Sequence, residues 1–155
     1  MRAVAVACAL TAACGGVDKQ KFDAAMKAGK ALQDEVQSSR GLPRSQSRDR
    51  LKEFDTEISA LHDRTIGTRE ADALQAYAEA ADAYRHFLRF RALDLEADKH
   101  QIEVKGPNLE VATRYKLPVD SRNGSKWVNG GQAITILLQA AEQHLENGNR
   151  LVGGR

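Results

Sequence analysis

Apolar residues return along this chain at helical intervals, and four segments carry the pattern clearly. From Asp18, which is placed to cap a helix, the positions Phe22, Met26, Gly29, Leu32 and Val36 follow a three-four spacing that lines one face. The polar stretch SSRGLPRSQS ends that segment with Ser, Gly and Pro and is long enough to reverse the chain. Ser47 then precedes Leu51, Phe54, Ile58 and Leu61, with Gly67 closing the second helix. Thr68 is the next candidate cap, and Leu74, Tyr77, Ala81, Tyr84, Leu88, Ala92 and Leu95 continue to about Lys99. About thirty residues at 1.5 Å each make this helix about 45 Å long, the longest of the set. The last runs from about Trp127 to Asn147 with Ile134, Leu137, Leu138, Ala141 and Leu145 on one face. Gly130 and Gly131 weaken its first turns, so its ordered start is expected to slip toward Gln132.

Between the third and last helices, QIEVKGPNLEVATRYKLPVD reads two ways. Ile102 and Val104, then Leu109, Val111, Thr113, Tyr115 and Leu117, alternate as strands do around a Gly106-Pro107-Asn108 turn. Asn108 equally caps a short helix that ends before Leu117-Pro118, and this is the preferred reading because no other segment offers a sheet to join. The expected class is therefore all-α, mainly an antiparallel four-helix bundle with one long helix, since amphipathic segments must bury their stripes against one another.

The chain opens differently. MRAVAVACALTAACGG has one arginine, an apolar run from Ala3 to Ala13 broken only by Thr11, and then Cys14. The run has the length of a signal-peptide core and is too short to cross a bilayer as a helix. Small residues leading directly into Cys14 resemble a bacterial lipoprotein signal, whose short lipobox ends in the cysteine that receives diacylglycerol. The pattern departs from that family in having Thr11 where leucine is usual. The alternative is an ordinary secretory signal cut near Ala7-Cys8-Ala9. The resemblance implies residues 1–13 as a cleaved signal, 14–17 as a lipidated tether with the lipid on Cys14, and 18–150 as a single helical domain. It also implies a cell-envelope location, lipid-anchored and facing the periplasm or cell surface, with Gly15 after the cysteine resembling the default for outer-membrane sorting in enteric bacteria.

Composition narrows the rest. Cys8 and Cys14 are the only cysteines, so once the signal is removed and Cys14 alkylated the domain holds no free thiol and no disulfide. The formal charge of +2 falls to about +1 without Arg2, too little for a nucleic-acid partner. The sequence holds no phosphate loop, no zinc-protease pair and no nucleophile elbow, and Gly130-Gly131-Gln132 matches the peptide-release tripeptide of termination factors by coincidence. The expectation is a non-enzymatic binding or structural module without metal or cofactor. Its partners are the membrane, through the lipid, and another envelope protein or an anionic envelope component.

Two sets of side chains carry what candidate chemistry there is. In YRHFLRFRALD, Arg85, Arg89 and Arg91 with His86 form a basic cluster that could bind lipid phosphate or carboxylates. Asp82 and Asp94, each three residues from an arginine, offer a solvated, ion-paired face as the plainer alternative. Met26 and His144 lie at neighbouring ends of the first and last helices in an up-down-up-down arrangement. In topology alone this resembles four-helix periplasmic b-type cytochromes, the alternative function being a haem-binding electron carrier. Packing for Met26 and solvent for His144 are the ordinary roles of such residues.

Overall fold

The computed structural model describes residues 17–39, 45–62 and 67–153. Cys14 and the whole of the proposed signal lie outside them. The chain is mostly helical, with five helices and one small sheet among the described residues. Helix α1 (Lys19–Ser38) begins where the sequence places it, with the Asp18 carboxylate accepting the Gln20 N–H at 3.0 Å. Helix α2 (Ser45–His62) starts two residues before Ser47, and α3 (Thr68–Glu96) takes Gly67 as its N-cap, so Thr68 is its first helical residue.

Gly67 has no side chain to cap with, and Glu70 compensates. Its carboxylate accepts the N–H of Gly67 at 3.3 Å and that of Asp18 at 3.1 Å, with the Lys21 ammonium 3.4 Å away. One side chain thus ties the N-termini of α1 and α3 together, and the Asp18 N–H first, then Gly67 and Lys21, hold its pKa below the usual value despite its burial.

The helices pack in chain order. Gly29 faces Phe54, and Glu35 shares a cleft with Asp49, which sets α1 antiparallel to α2. Asp55 meets Arg85 and Arg48 lies near Ala92, so α2 and α3 are antiparallel as well. Helix α5 (Gly130–Gly153) runs back along α3, with Tyr77 beside Asn149, Glu79 beside His144 and Asp94 beside Gly130. It begins at Gly130 rather than Gln132, because the Asn129 side chain caps it by accepting the Gln132 N–H at 3.0 Å, and it runs past Asn147.

Every apolar position expected on α2 is buried, and on α1 only Met26 stays partly exposed. Helix α3 differs. It buries a second stripe of Ala73, Ala76, Ala80, Ala83, Phe87 and Phe90, and at its C-terminal end Asp94 takes the covered position while Leu95 is 55% exposed. Of the expected stripe Leu74, Tyr77, Ala81, Tyr84 and Leu88 are buried, and cover is lost only from Ala92 to Leu95.

The all-α expectation needs a correction between α3 and α5. A 3-10 turn (Asp98–His100) leads into β1 (Gln101–Glu103), then α4 (Pro107–Arg114), β2 (Asp120–Arg122) and β3 (Ser125–Asn129). The sheet order is β1-β3-β2, antiparallel throughout, with Ile102 opposite Val128 and Arg122 opposite Ser125. The short helix was expected and is present, capped at Gly106 with Pro107 in its first turn rather than by Asn108. The strand at Ile102 is real too, but its partner is the segment holding Trp127, which belongs to β3 and not to the last helix. The turn between β2 and β3 is Asn123-Gly124, both left-handed (φ 50° and 80°), the dipeptide that a two-residue hairpin turn of this hand favours.

Glycine is required at position 148, where an added Cβ would lie 2.7 to 3.1 Å from three ring carbons of the fully buried Tyr77. Alanine there gains about 1 kcal/mol of helix propensity but overpacks the ring at a cost of about 1–3 kcal/mol. Chemical unfolding of Gly148→Ala is expected to show a net loss of about 1 kcal/mol. A gain in stability would mean that Tyr77 can move aside. Gly153→Ala, with nothing within 4 Å, serves as the neutral control.

Candidate functional site

Arg85 and Arg89 sit one turn apart on α3 and share a face, whereas Arg91 is rotated about 200° from Arg89 by the helical period. The structure accordingly divides the expected cluster. Arg85 and Arg89 border a cleft of about 450 Å³ between α2 and α3, and Arg91 lies in a different cleft with Val36, Phe87 and Leu138. Arg91 is bound to Asp94 at 3.3 Å, in accord with the local pairing the sequence suggests.

The α2–α3 cleft has an apolar floor of Leu51, Leu88, Ala92 and Leu93, with Arg48, Arg85 and Arg89 along its sides and Glu96 at one end. Arg85 is held in place. Its Nη2 lies 2.9 Å from both carboxylate oxygens of Asp55 on α2, and its Nη1 donates to Asp82 at 3.2 Å. Among the described residues neither Arg48 nor Arg89 has a carboxylate within 4.0 Å, so the cleft holds two arginines outside any ion pair beside a neutralised one, with Glu96 as its one lining carboxylate. Sequence reasoning missed Arg48, because only the pairing of α2 with α3 brings it to Arg89.

Asp82 is the other junction. Its Oδ2 accepts from Arg114 Nη1 at 2.8 Å and from the Tyr115 hydroxyl at 3.1 Å, which docks α4 onto the middle of α3. The Arg114 guanidinium stands 5.5 Å from the Tyr115 ring centre, and the His86 ring meets Tyr115 edge-on at 5.9 Å. Burial, reinforced by the negative charge of Asp82, pushes the Tyr115 hydroxyl up to about 12. Arg85, Arg114 and Tyr115 are thus all bound to Asp82.

Compared with known proteins, the chain matches no family model, no curated protein and no solved structure.

The remaining sequence candidates fall as follows. His144 places Nδ1 2.9 Å from Glu79 Oε2 across the α3–α5 seam, and Met26 packs partly buried against the core. The helix faces around them are filled, with Phe22, Phe54 and Tyr77 fully buried and the site of a Gly29 Cβ only 2.7 Å from Leu145 Cδ1. Among the described residues no group of three or more His, Cys, Asp or Glu side chains is gathered closely enough to hold a metal ion. No helix among them is long and apolar enough to cross a membrane.

His86 follows Arg85 on α3. Burial lowers its pKa below 6.5, and Arg114, Arg85 and Arg89 add to that, while Asp82, 3.5 Å from Nε2, pulls the other way and is outweighed. The folded protein therefore holds His86 neutral where the unfolded chain protonates it. Stability is full above 6.5, falls as pH drops through that value, and stops falling once pH is below the folded pKa. Urea unfolding at about pH 7.5 and about pH 5.5 should show a smaller acid loss for His86→Phe than for wild type. An identical loss in both would place the acid sensitivity elsewhere.

Proposed function

We propose that this chain is a non-enzymatic module of the bacterial cell envelope, anchored by lipid at Cys14, that binds an anionic amphiphile in the cleft between α2 and α3. The lipobox-like run ending in Cys14 supports the anchor. Diacylglycerol and an N-acyl chain together exceed the two hydrophobic signals that stable attachment needs. The domain itself carries no membrane-spanning helix among its described residues, so on this reading attachment belongs to the tether.

The observation that carries the binding role is the meeting of Arg48 and Arg89 in one cleft, neither in an ion pair among the described residues, over a floor of leucine and alanine. A headgroup phosphate meets guanidinium groups that bind oxyanions in bidentate fashion, and the first methylenes of its chain meet Leu51, Leu88 and Leu93. Arg85, fixed and neutralised by Asp55 and Asp82, forms a rigid wall beside them. In the same reading α1, α2, α3 and α5 form an antiparallel four-helix bundle. The alternating directions of successive helices and the seams at Gly29–Phe54, Asp55–Arg85 and Glu79–His144 support it.

Two comparisons on one protein test this. Wild type should take up labelled fatty acid and enter the detergent phase on partition, and Cys14→Ala should lose the label. Wild type should also bind a short-chain phosphatidylglycerol by calorimetry, more weakly as salt rises. Arg48→Gln with Arg89→Gln should lower that affinity by about tenfold or more while leaving the melting temperature nearly unchanged. Equal binding by the double variant would reduce the cleft to an ordinary solvated surface, and an unlabelled wild type would remove the anchor.

A further inference from the structure

The face of the sheet that points away from Ile102 and Val128 bears the chain's single tryptophan, Trp127, with Ser125 beside it on β3. Alternation along the strands puts Gln101 of β1 and Arg122 of β2 on that same face, since Arg122 is opposite Ser125 and Gln101 is opposite Asn129. These four side chains line a cleft of about 450 Å³, well within the size of small-ligand sites (about 300–1,000 Å³). Asp98, Lys99 and Asn123 complete it.

Its two walls are built from unusual backbone. Lys99 and His100 are successive non-glycine residues with positive φ (52° and 57°), and Asn123 (φ 50°) forms the opposite wall. Consecutive left-handed residues of this kind persist only where the surroundings fix them. Here the buried Asp94 of α3 does so, its Oδ1 lying 3.0 Å from His100 Nδ1. The first wall is thus braced against the main helix, immediately before β1 begins.

We propose that this cleft is a saccharide-binding site in which a pyranose ring stacks on Trp127. Trp offers a large flat apolar surface to the C–H face of a sugar, while the Gln101 and Asn123 amides both donate and accept, the Ser125 hydroxyl, whose proton goes to Glu103 at 2.8 Å, accepts, and Arg122 keeps guanidinium N–H groups beyond the one given to Asp120. The charges argue against other ligand classes. Arg122 is already paired with Asp120 at 3.0 Å, and the cleft is lined by Asp98 as well as Lys99, so its charges are of mixed sign and do not select a polyphosphate. With polar groups on every side of one aromatic ring, a wholly apolar ligand would strand their hydrogen bonds. The site is separate from the arginine cleft and does not depend on that reading.

Because Trp127 is the only tryptophan, its emission reports this cleft alone. The full chain, kept in a detergent without a sugar headgroup, is titrated with chitotriose, cellotriose and maltotriose, with saturation-transfer NMR as a second readout. At least one trisaccharide should give a saturable emission change with a dissociation constant of about 1 mM or tighter. Arg122→Gln, at an exposed position, should weaken binding about fivefold to tenfold. Trp127→Phe should weaken it less than Trp127→Ala, and Arg89→Gln should leave it unchanged. If Trp127→Ala proves unfolded by circular dichroism, the Arg122 variant decides. No saturable change with any of the three up to about 10 mM, or binding undiminished in Arg122→Gln, overturns the proposal.

Discussion

The seating of the Tyr77 ring in the niche left by Gly148 is the constraint on which the other packing depends. Tyr77 is fully buried, lies 6.1 Å from the ring of Phe22 on α1 and 5.9 Å from that of Phe54 on α2, and donates its hydroxyl to Asn149 on α5. One side chain on α3 thus touches all three of the other long helices. A buried aromatic of this size contributes about 1.5–3 kcal/mol by area alone, with more from edge contacts such as that with Phe54. The ring fits only because α5 presents no Cβ to it. Between Gly148 and Gly130 the two helices bury small residues, Ala80 and Ala83 on α3 and Ala133 and Ala141 on α5. At Gly130 an added Cβ would fall within 3 Å of three Asp94 side-chain atoms. A glycine near each end and alanines between them let the two longest helices approach closely.

That close seam leaves the remaining faces of α3 available for everything else. Its middle receives α2 through Arg85 and Asp55, and α4 through Asp82, so one turn of helix joins three elements by charge-assisted hydrogen bonds. Its last turn braces the sheet through Asp94 and His100. The two clefts lie on different faces of this arrangement. The arginine cleft owes its fixed guanidinium to the first junction, and the tryptophan cleft owes its left-handed wall to the second. Neither site stands on a freely hanging loop, and each rests on a carboxylate of α3.

The helices were legible because amphipathic periodicity is a local property, and the stripes of α1 and α2 fall where the spacing of Phe22 through Val36 and Leu51 through Leu61 puts them. On α3 the pattern was half read. Ala73, Ala80 and Ala83 carry little hydropathy, and nothing in the sequence alone shows that a helix flanked on several sides will bury its alanines. The sheet was missed although its strongest signal, Asn123-Gly124 before an apolar-aromatic strand, stood in plain view. Trp127 looked like the start of the following helix, and β1 had no visible partner without it. The arginine cluster was grouped by nearness along the chain. Helical rotation separates Arg91 from Arg89, and a contact between distant segments brings in Arg48.

If α3 and α5 form the central pair, native-state hydrogen exchange reads it directly. Amides of α3 from Tyr77 to Leu88 and of α5 from Leu137 to Leu145 should be the slowest and share one opening free energy, equal to that of global unfolding. Those of α2, which makes far less contact with α3 than α5 does, should open at lower cost. Exchange of the α5 amides at a lower free energy than those of α2 would contradict the account, because it would make α5 peripheral and leave the Tyr77 niche without its structural role.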